Sequence, residues 1–398
     1  MEYISAREAS ERWHVHIRVV QDYCKSGRIS GARKYGVSWL IPADSKKPSD
    51  PRKAAKCPES KNRHLLPRRC PILAITDIYS KPGTADEVAA SISNYPQART
   101  LFLSVIAYAR GQADLSAELS ADLLSRTECF DTKLGCLINI ANAELYRGDF
   151  NVWESARNEI VGIDCETAQE QAVKELMQVG VDVSIYDRRS TPKWFETGCF
   201  DPLPTDCYPC ARHYYFKRHF IDSARVDLAY RMELLCSQTR AEGVVIAQIY
   251  LGLDAANVWF MYGEKERAAF HISRVLDLAL PDRLYAPLAE HRRDTSPLMD
   301  ELLRQRDADA YRRVLEIYER LIPAWTRIYQ NRMKRVFAQE LTLREFEALK
   351  YAALGRTNGE IAALMNVSTN TVRSYISSIL SKTGLSNRNE FAGYIKLS

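Results

Sequence analysis

The chain has 398 residues, 46% of them apolar and 26% charged, with a formal net charge of +5. Apolar content at that level excludes a disordered or low-complexity chain and predicts two or three domains with cores of their own. Apolar runs stop short of the roughly twenty residues of a membrane span, and an N-terminus with Glu2, Arg7, Glu8 and Glu11 is not expected to be a secretory leader, so a cytoplasmic protein with no membrane partner is expected. Ten cysteines over this length are too sparse for a secreted disulfide framework, and most are expected to be reduced.

The charge is segregated. Residues 1–69 hold 16 Lys/Arg against 7 Asp/Glu, residues 332–398 hold 10 against 5, and the stretch between them holds 29 against 38. Two basic ends around an acidic body suit two surfaces that face nucleic acid.

In chain order, Ser5-Ala6-Arg7-Glu8 is a capping box that opens a short helix with Ala9 and Trp13 inward. After a turn at His14-Val15, a second helix is predicted from about His16 to Lys25, with Val20, Tyr23 and Cys24 inward and Gly27 as its C-terminal cap. Two strand-like runs follow, Ile29 to Lys34 and Val37 to Ile41, joined at Tyr35-Gly36 and stopped by Pro42. The Gly-Arg-Ile-x-Gly-Ala step and the Trp-Leu-Ile-Pro strand make this stretch similar to the excisionase-like, MerR-related winged helix-turn-helix domains. That resemblance implies DNA contacts from His16, Arg18 and Gln21 of the second helix and from Arg28, Arg33 and Lys34 of the wing; His16 stands where the family often has a capping Ser. The same small module also serves elsewhere as a protein-docking piece, and both readings stay open. Domain 1–43 is followed by a linker, 44–71, rich in Pro, Lys and Arg with little periodic apolar content.

Residues 72–331 are predicted to be helical throughout, with apolar residues recurring at three and four, as in Leu101, Val105 and Tyr108. Turn signals at Ala109-Arg110-Gly111, Tyr146-Arg147-Gly148 and Met261-Tyr262-Gly263 are each followed by a helix carrying a small residue, Ala117, Ala156 and Ala268. The three glycines are separated by 37 and 115 residues, the latter close to three times 38. This worn period resembles a degenerate tetratricopeptide-type solenoid, as in the sensor regions of MalT-like regulators; an irregular helical bundle is the other reading. Tyr214, Tyr215, Phe216, Trp259, Phe260 and Tyr262 are candidates for a concave ligand or peptide site, though such residues more often pack between helices. Cys199, Cys207, Cys210 and His213 have loosely metal-like spacing, but structural zinc sites usually have a longer arm between ligand pairs, so no metal is assigned. Cys57, His64 and Cys70 of the linker are a weaker set still.

Three Ser/Thr starts close the chain: Thr342 with Glu345, Thr357 with Glu360, and Ser368 with Thr371. They announce three short helices, with only a tight turn, Met365 to Val367, between the second and third. In the third helix Val372, Ile376 and Ile379 face inward onto Ile361 and Leu364, while Asn370, Arg373, Ser374 and Ser377 form an outer face with one cation and no acid, suited to base edges and phosphates in a major groove. The Leu-Thr-x-Arg-Glu-x-Glu of Leu341 to Glu347, the Asn-x-Glu-Ile-Ala of Asn358 to Ala362, the Ser-x-x-Thr-Val-Arg of Ser368 to Arg373 and the Arg-x-Glu of Arg388 to Glu390 resemble the LuxR-type helix-turn-helix of bacterial transcription regulators. Domain 332–398 departs from the family at Gly359, usually basic, at Tyr375, usually His, and at Thr383, usually Leu. The resemblance implies base reading by Arg373, Ser374 and Ser377, further DNA contacts from Thr369, Asn370, Thr371 and Lys382, and a last helix, Asn387 to Ile395, that supports a homodimer on double-stranded DNA.

No phosphate-binding Gly-x-x-x-x-Gly-Lys, dinucleotide fingerprint or His-Glu-x-x-His is present, so neither an enzyme nor a cofactor is expected. The sequence predicts a mainly α protein, with an N-terminal small winged helix-turn-helix, a central α-solenoid of helix hairpins and a C-terminal four-helix LuxR-type domain. The function expected is sequence-specific DNA-binding transcription regulation, with the middle domain sensing a small molecule, peptide or protein. The alternative is a helical interaction scaffold with weak, non-specific DNA-binding ends.

Overall fold

The computed structural model describes residues 3–25, 29, 31–35, 38–43, 45, 47, 78–187, 191–219, 226–334, 341–383 and 385–392, and the chain divides into two compact units, 1–61 and 62–398. The protein is mainly α-helical.

The first unit runs β1 (Tyr3–Ser5), α1 (Ala6–Trp13), α2 (Ile17–Lys25), β2 (Arg33–Tyr35) and β3 (Ser38–Pro42). The Ser5 capping box is formed: Ser5 Oγ accepts the Glu8 N–H at 3.2 Å, and the Ser5 N–H donates to Glu8 Oε2 at 2.7 Å. His14 ends α1 in the left-handed region at φ 51°. Ala9, Trp13, Val20, Tyr23, Cys24, Ile29 and Ile41 make a small core under a three-stranded antiparallel sheet of order β1-β3-β2. β1 was not expected, because three residues are too few to display an alternating pattern; its register on β3, Ile4 against Ile41, supplies the pairing. Ile29 enters the core from outside the strands, so the wing is shorter than the sequence predicts. The expected cap Gly27 and most of the linker lie outside the described residues, as do Cys57, His64 and Cys70.

The second unit is built from α3 (Ala85–Ser91), α4 (Pro96–Ala109), α5 (Ala113–Leu124), α6 (Phe130–Arg147), α7 (Phe150–Gly162), α8 (Ala168–Ser184), the short α9 (Lys193–Glu196), α10 (Tyr208–His219), α11 (Val226–Glu242), α12 (Val245–Met261), α13 (Lys265–Ala279), α14 (Ala286–Thr295), α15 (Leu298–Arg306), α16 (Ala308–Lys334), α17 (Leu343–Ala353), α18 (Asn358–Met365) and α19 (Thr369–Thr383). Neighbouring helices form hairpins, and α4, α6, α8, α10, α12 and α14 pack each on the next, the last returning to the first, with α5, α7, α11, α13 and α15 laid against them. Such a ring buries helix faces that no single hairpin covers.

Asp282, in the loop after α13, ties the ring shut. It takes the Tyr79 hydroxyl, the Gly83 N–H at 2.5 Å and the Ala85 N–H at 3.1 Å, while its own carbonyl accepts from Arg110 Nε at 3.0 Å. All three glycine turns fall where the sequence placed them. Two are also packing requirements: Gly111 and Gly148 have φ of +83° and +81°, and a Cβ there would lie 2.3 Å from Ile317 Cδ1 and 3.1 Å from Ala324 Cα, both on α16. That 27-residue helix packs on α6, α7, α14 and α15. Ala117, Ala156 and Ala268 are buried in the second helices of their hairpins, as their size suggests.

Among the described residues no helix is long and apolar enough to cross a membrane, and the cysteines are free thiols.

Candidate nucleic-acid interface

Helices α17 to α19 form the helix-turn-helix at the end of the second unit. Both full capping boxes are present: Thr342 Oγ1 accepts the Glu345 N–H at 3.2 Å and Thr357 Oγ1 the Glu360 N–H at 3.3 Å, and each glutamate returns to the N–H of its threonine. Ser368 Oγ accepts the Thr371 N–H at 3.1 Å, which starts α19. The tight turn before it is made by Asn366, at φ 52°, a conformation that asparagine adopts more readily than most residues.

Val372 and Ile379 are fully buried against Ile361, Ala362 and Met365, with Ile376 and Leu364 half-buried beside them. Among the described residues nothing covers the outer face of α19. Thr369, Asn370, Arg373, Ser374 and Ser377 are all exposed and Thr371 is half-buried. Arg373 Nη1 donates to Asn370 Oδ1 at 3.0 Å, and Ser374 Oγ to the Asn370 carbonyl at 3.2 Å, so the polar groups of this face are pre-arranged along the helix.

Lys382, half-buried, is tied within the domain. Its ammonium reaches back to Glu345 at 2.9 and 2.7 Å, and Ser378 donates to the same carboxylate. Burial alone raises the Glu345 pKa, but the bonds from Lys382, Ser378 and Thr342 outweigh it and hold the carboxyl below its ordinary value. The cap of α17 and the underside of α19 are therefore one network. Arg388 donates to Asn358 Oδ1 at 2.6 Å and to the Arg356 carbonyl, which explains the terminal Arg-x-Glu as a clamp; only a 3₁₀ turn, Arg388–Glu390, and the first residues after it are described of the expected last helix.

Residues 339–395 match a family of bacterial regulatory proteins, the LuxR family. This segment is a LuxR-type helix-turn-helix DNA-binding domain. A curated relative, the uncharacterized transcriptional regulatory protein YvfU of Bacillus subtilis (strain 168), is 43% identical over 70 residues, covering 15% of this chain and 35% of that protein. The chain thus spans about a third of the length of the relative it matches. No solved structure matches the chain.

The LuxR-type domain is docked on the ring through α17 and the turn after it, and within the described residues of the second unit the outer face of α19 stays exposed. Lys350 of α17, 3% exposed, gives its ammonium to Asp294 of α14 at 3.3 Å, and Arg293 pairs with Glu347. Burial pulls the Lys350 pKa down, but Asp294 more than reverses this; burial likewise raises Asp294, and Lys350 with Arg293 brings it below its ordinary value. Phe346 packs on Tyr186 and Tyr329, with ring centroids 5.1 and 5.7 Å apart, and Arg356 donates to the Met261 carbonyl beside the Tyr262 ring. Sequence reasoning missed this dock. Glu347 stands in the quoted motif, but its partner is 54 positions upstream and no periodicity links the two.

At the N-terminal unit, His16, Arg18, Arg33 and Lys34 are exposed and Gln21 half-buried, while Arg28 lies outside the described residues. His16 replaces a capping serine in effect, its Nδ1 accepting the Arg18 N–H at 3.3 Å. The Cys/His candidates are not gathered. Cys199 is exposed beside Asp201, Cys207 and Cys210 are buried, and the His213 imidazole is bonded to Asp254 at 2.7 Å; among the described residues no group of three or more His, Cys, Asp or Glu is arranged to hold a metal. Of the six aromatic candidates only Tyr214 lines the central cavity of the ring. Phe216 and Trp259 are core, Trp259 also donating to Glu233 at 2.9 Å, and Tyr215 stacks on His219, 4.1 Å between centroids.

Proposed function

We propose that the protein is a bacterial transcription regulator that binds specific double-stranded DNA through α19 as a homodimer, and whose helical ring senses a small ligand or partner. The observation that carries this reading is the outer face of α19: Asn370, Arg373, Ser374 and Ser377 exposed together, with one guanidinium and no carboxylate. Guanidinium and amide groups in that arrangement pair with base edges and phosphates, and a face without acids meets no repulsion from DNA. The ring of helix hairpins fits a tetratricopeptide-like sensor, and the two-helix, three-stranded N-terminal unit fits an excisionase-like winged helix that places Arg18 and Gln21 in the major groove and adds phosphate contacts through Arg33 and Lys34 of the wing. A cytoplasmic location fits a protein that works on DNA.

Arg373→Ala tests the role of the reading helix. On a specific site it is expected to weaken binding by about 1–3 kcal/mol, with much less loss on random DNA. Fluorescence anisotropy titrations on both duplexes, at one salt concentration, read the difference; equal losses on the two would remove base reading from Arg373.

A further inference from the structure

The ring lines a partly open cavity of about 180 Å³, somewhat larger than the roughly 150 Å³ that holds a benzene molecule in a sealed, engineered protein cavity. Its walls are largely apolar, with Val105, Leu145, Ile246, Leu321 and Trp325 among them, but Glu290 of α14 also faces it. The Glu290 carboxylate is surrounded by tyrosines. Its Oε1 accepts the Tyr108 hydroxyl at 2.6 Å and the Tyr146 hydroxyl at 2.8 Å, and Tyr250 lines the cavity beside them. Burial and the neighbouring carboxylate push all three phenols well above their ordinary pKa, so they remain donors. No lysine or arginine among the described residues forms an ion pair with Glu290. Lys217 and Arg293 also line the cavity but neither is paired with this half-buried carboxylate, whose hydrogen-bond partners are neutral hydroxyls, and tyrosine rings add their negative faces to its attraction for a cation.

We propose that this cavity is a binding site for a small organic amine, whose ammonium group is taken by Glu290 among Tyr108, Tyr146 and Tyr250 and whose apolar body fills the space toward Trp325. The proposal rests on the reading of the ring as a sensor and supplies its ligand chemistry. It also supplies a short route to the DNA-binding domain. Arg293 and Asp294, one turn beyond Glu290 on α14, line the same cavity and hold Glu347 and Lys350 of α17. Tyr186 and Trp325 line it too, and Tyr186 packs on Phe346. An occupant seated on Glu290 therefore touches the wall on which the reader is docked.

The test uses the full chain and three probes of one shape and different charge: benzylamine, benzyl alcohol and benzoate, each titrated by calorimetry and then added to a DNA-binding measurement. Benzylamine is expected to bind at least tenfold more tightly than benzyl alcohol, with no binding of benzoate. In Glu290→Gln the preference for the amine over the alcohol is expected to disappear while the alcohol still binds, which also shows that the variant is folded. Equal binding of amine and alcohol, tighter binding of benzoate through the cavity's Lys217, an unchanged preference in Glu290→Gln, or binding of none of the three would each overturn the site. The sensor reading fails separately: benzylamine that binds and leaves DNA affinity unmoved keeps the site and removes the coupling, whereas benzoate that shifts DNA affinity keeps a sensor and removes the amine chemistry.

Discussion

Arg373 and Gly359 are the exposed residues through which the proposed reading surface is most directly probed. Gly359 is exposed in the first turn of α18, where a Cβ would meet only Thr357 Oγ1 at 4.0 Å. A side chain fits there without strain, and the family usually carries a basic one. Gly359→Lys is expected to tighten non-specific DNA binding and to steepen the salt dependence by about one counterion, because it restores a phosphate contact. Titrations across a series of salt concentrations measure the slope; an unchanged slope would place Gly359 away from the DNA backbone. The residues of this surface were legible in the sequence because capping chemistry and helical spacing are local. The Lys382–Glu345 pair was not, because the two lie 37 positions apart and a lysine at the end of a helix looks the same whether it meets phosphate or carboxylate.

At the level of elements, α17 does two jobs: its cap fixes the domain, and its buried flank fixes the domain to the ring. Lys350→Met removes the cation bonded to the half-buried Asp294 and leaves Arg293 to face it, and is expected to cost about 1–3 kcal/mol at the dock, because a charged hydrogen-bond partner is lost. Hydrogen exchange at α17 reads this loss, and protection equal to the parent protein's would show that the apolar contacts of Phe346 carry the dock alone. The hairpins of the ring were legible from turns such as Tyr146-Arg147-Gly148, where the left-handed glycine is a local requirement. The closure of the ring was not. It depends on Asp282 gathering groups about two hundred positions earlier, Tyr79, Gly83 and Ala85, and nothing in the helical period announces a carboxylate that caps another helix. The three residues of β1 were likewise silent, since their pairing with β3 is set by register and not by pattern.

Across the second unit, the ion pairs of the dock set a pH window. Asp294, held below its ordinary 3.8, contributes stability that is present above that value and is lost as pH falls through its lower folded value. Lys350, held above its ordinary 10.5, contributes stability that is present below that value and is lost only as pH rises through its higher folded one. Docking of the DNA-binding domain is therefore expected to be constant between about pH 5 and 9 and to weaken below about pH 4. Exchange protection of α17, corrected for the intrinsic pH dependence of amide exchange, follows it; a transition near neutral pH would assign control of the dock to another group. The segregation of charge along the chain, basic at both ends and acidic between, agrees with a body that keeps off DNA while its ends approach it. The central claim, that α19 reads sequence, is tested most directly by selecting sites from random duplex DNA with the full protein. The account predicts enrichment of one motif as two related half-sites about one helical turn apart. Strong retention of DNA with no enriched motif would contradict it and leave a non-specific binder.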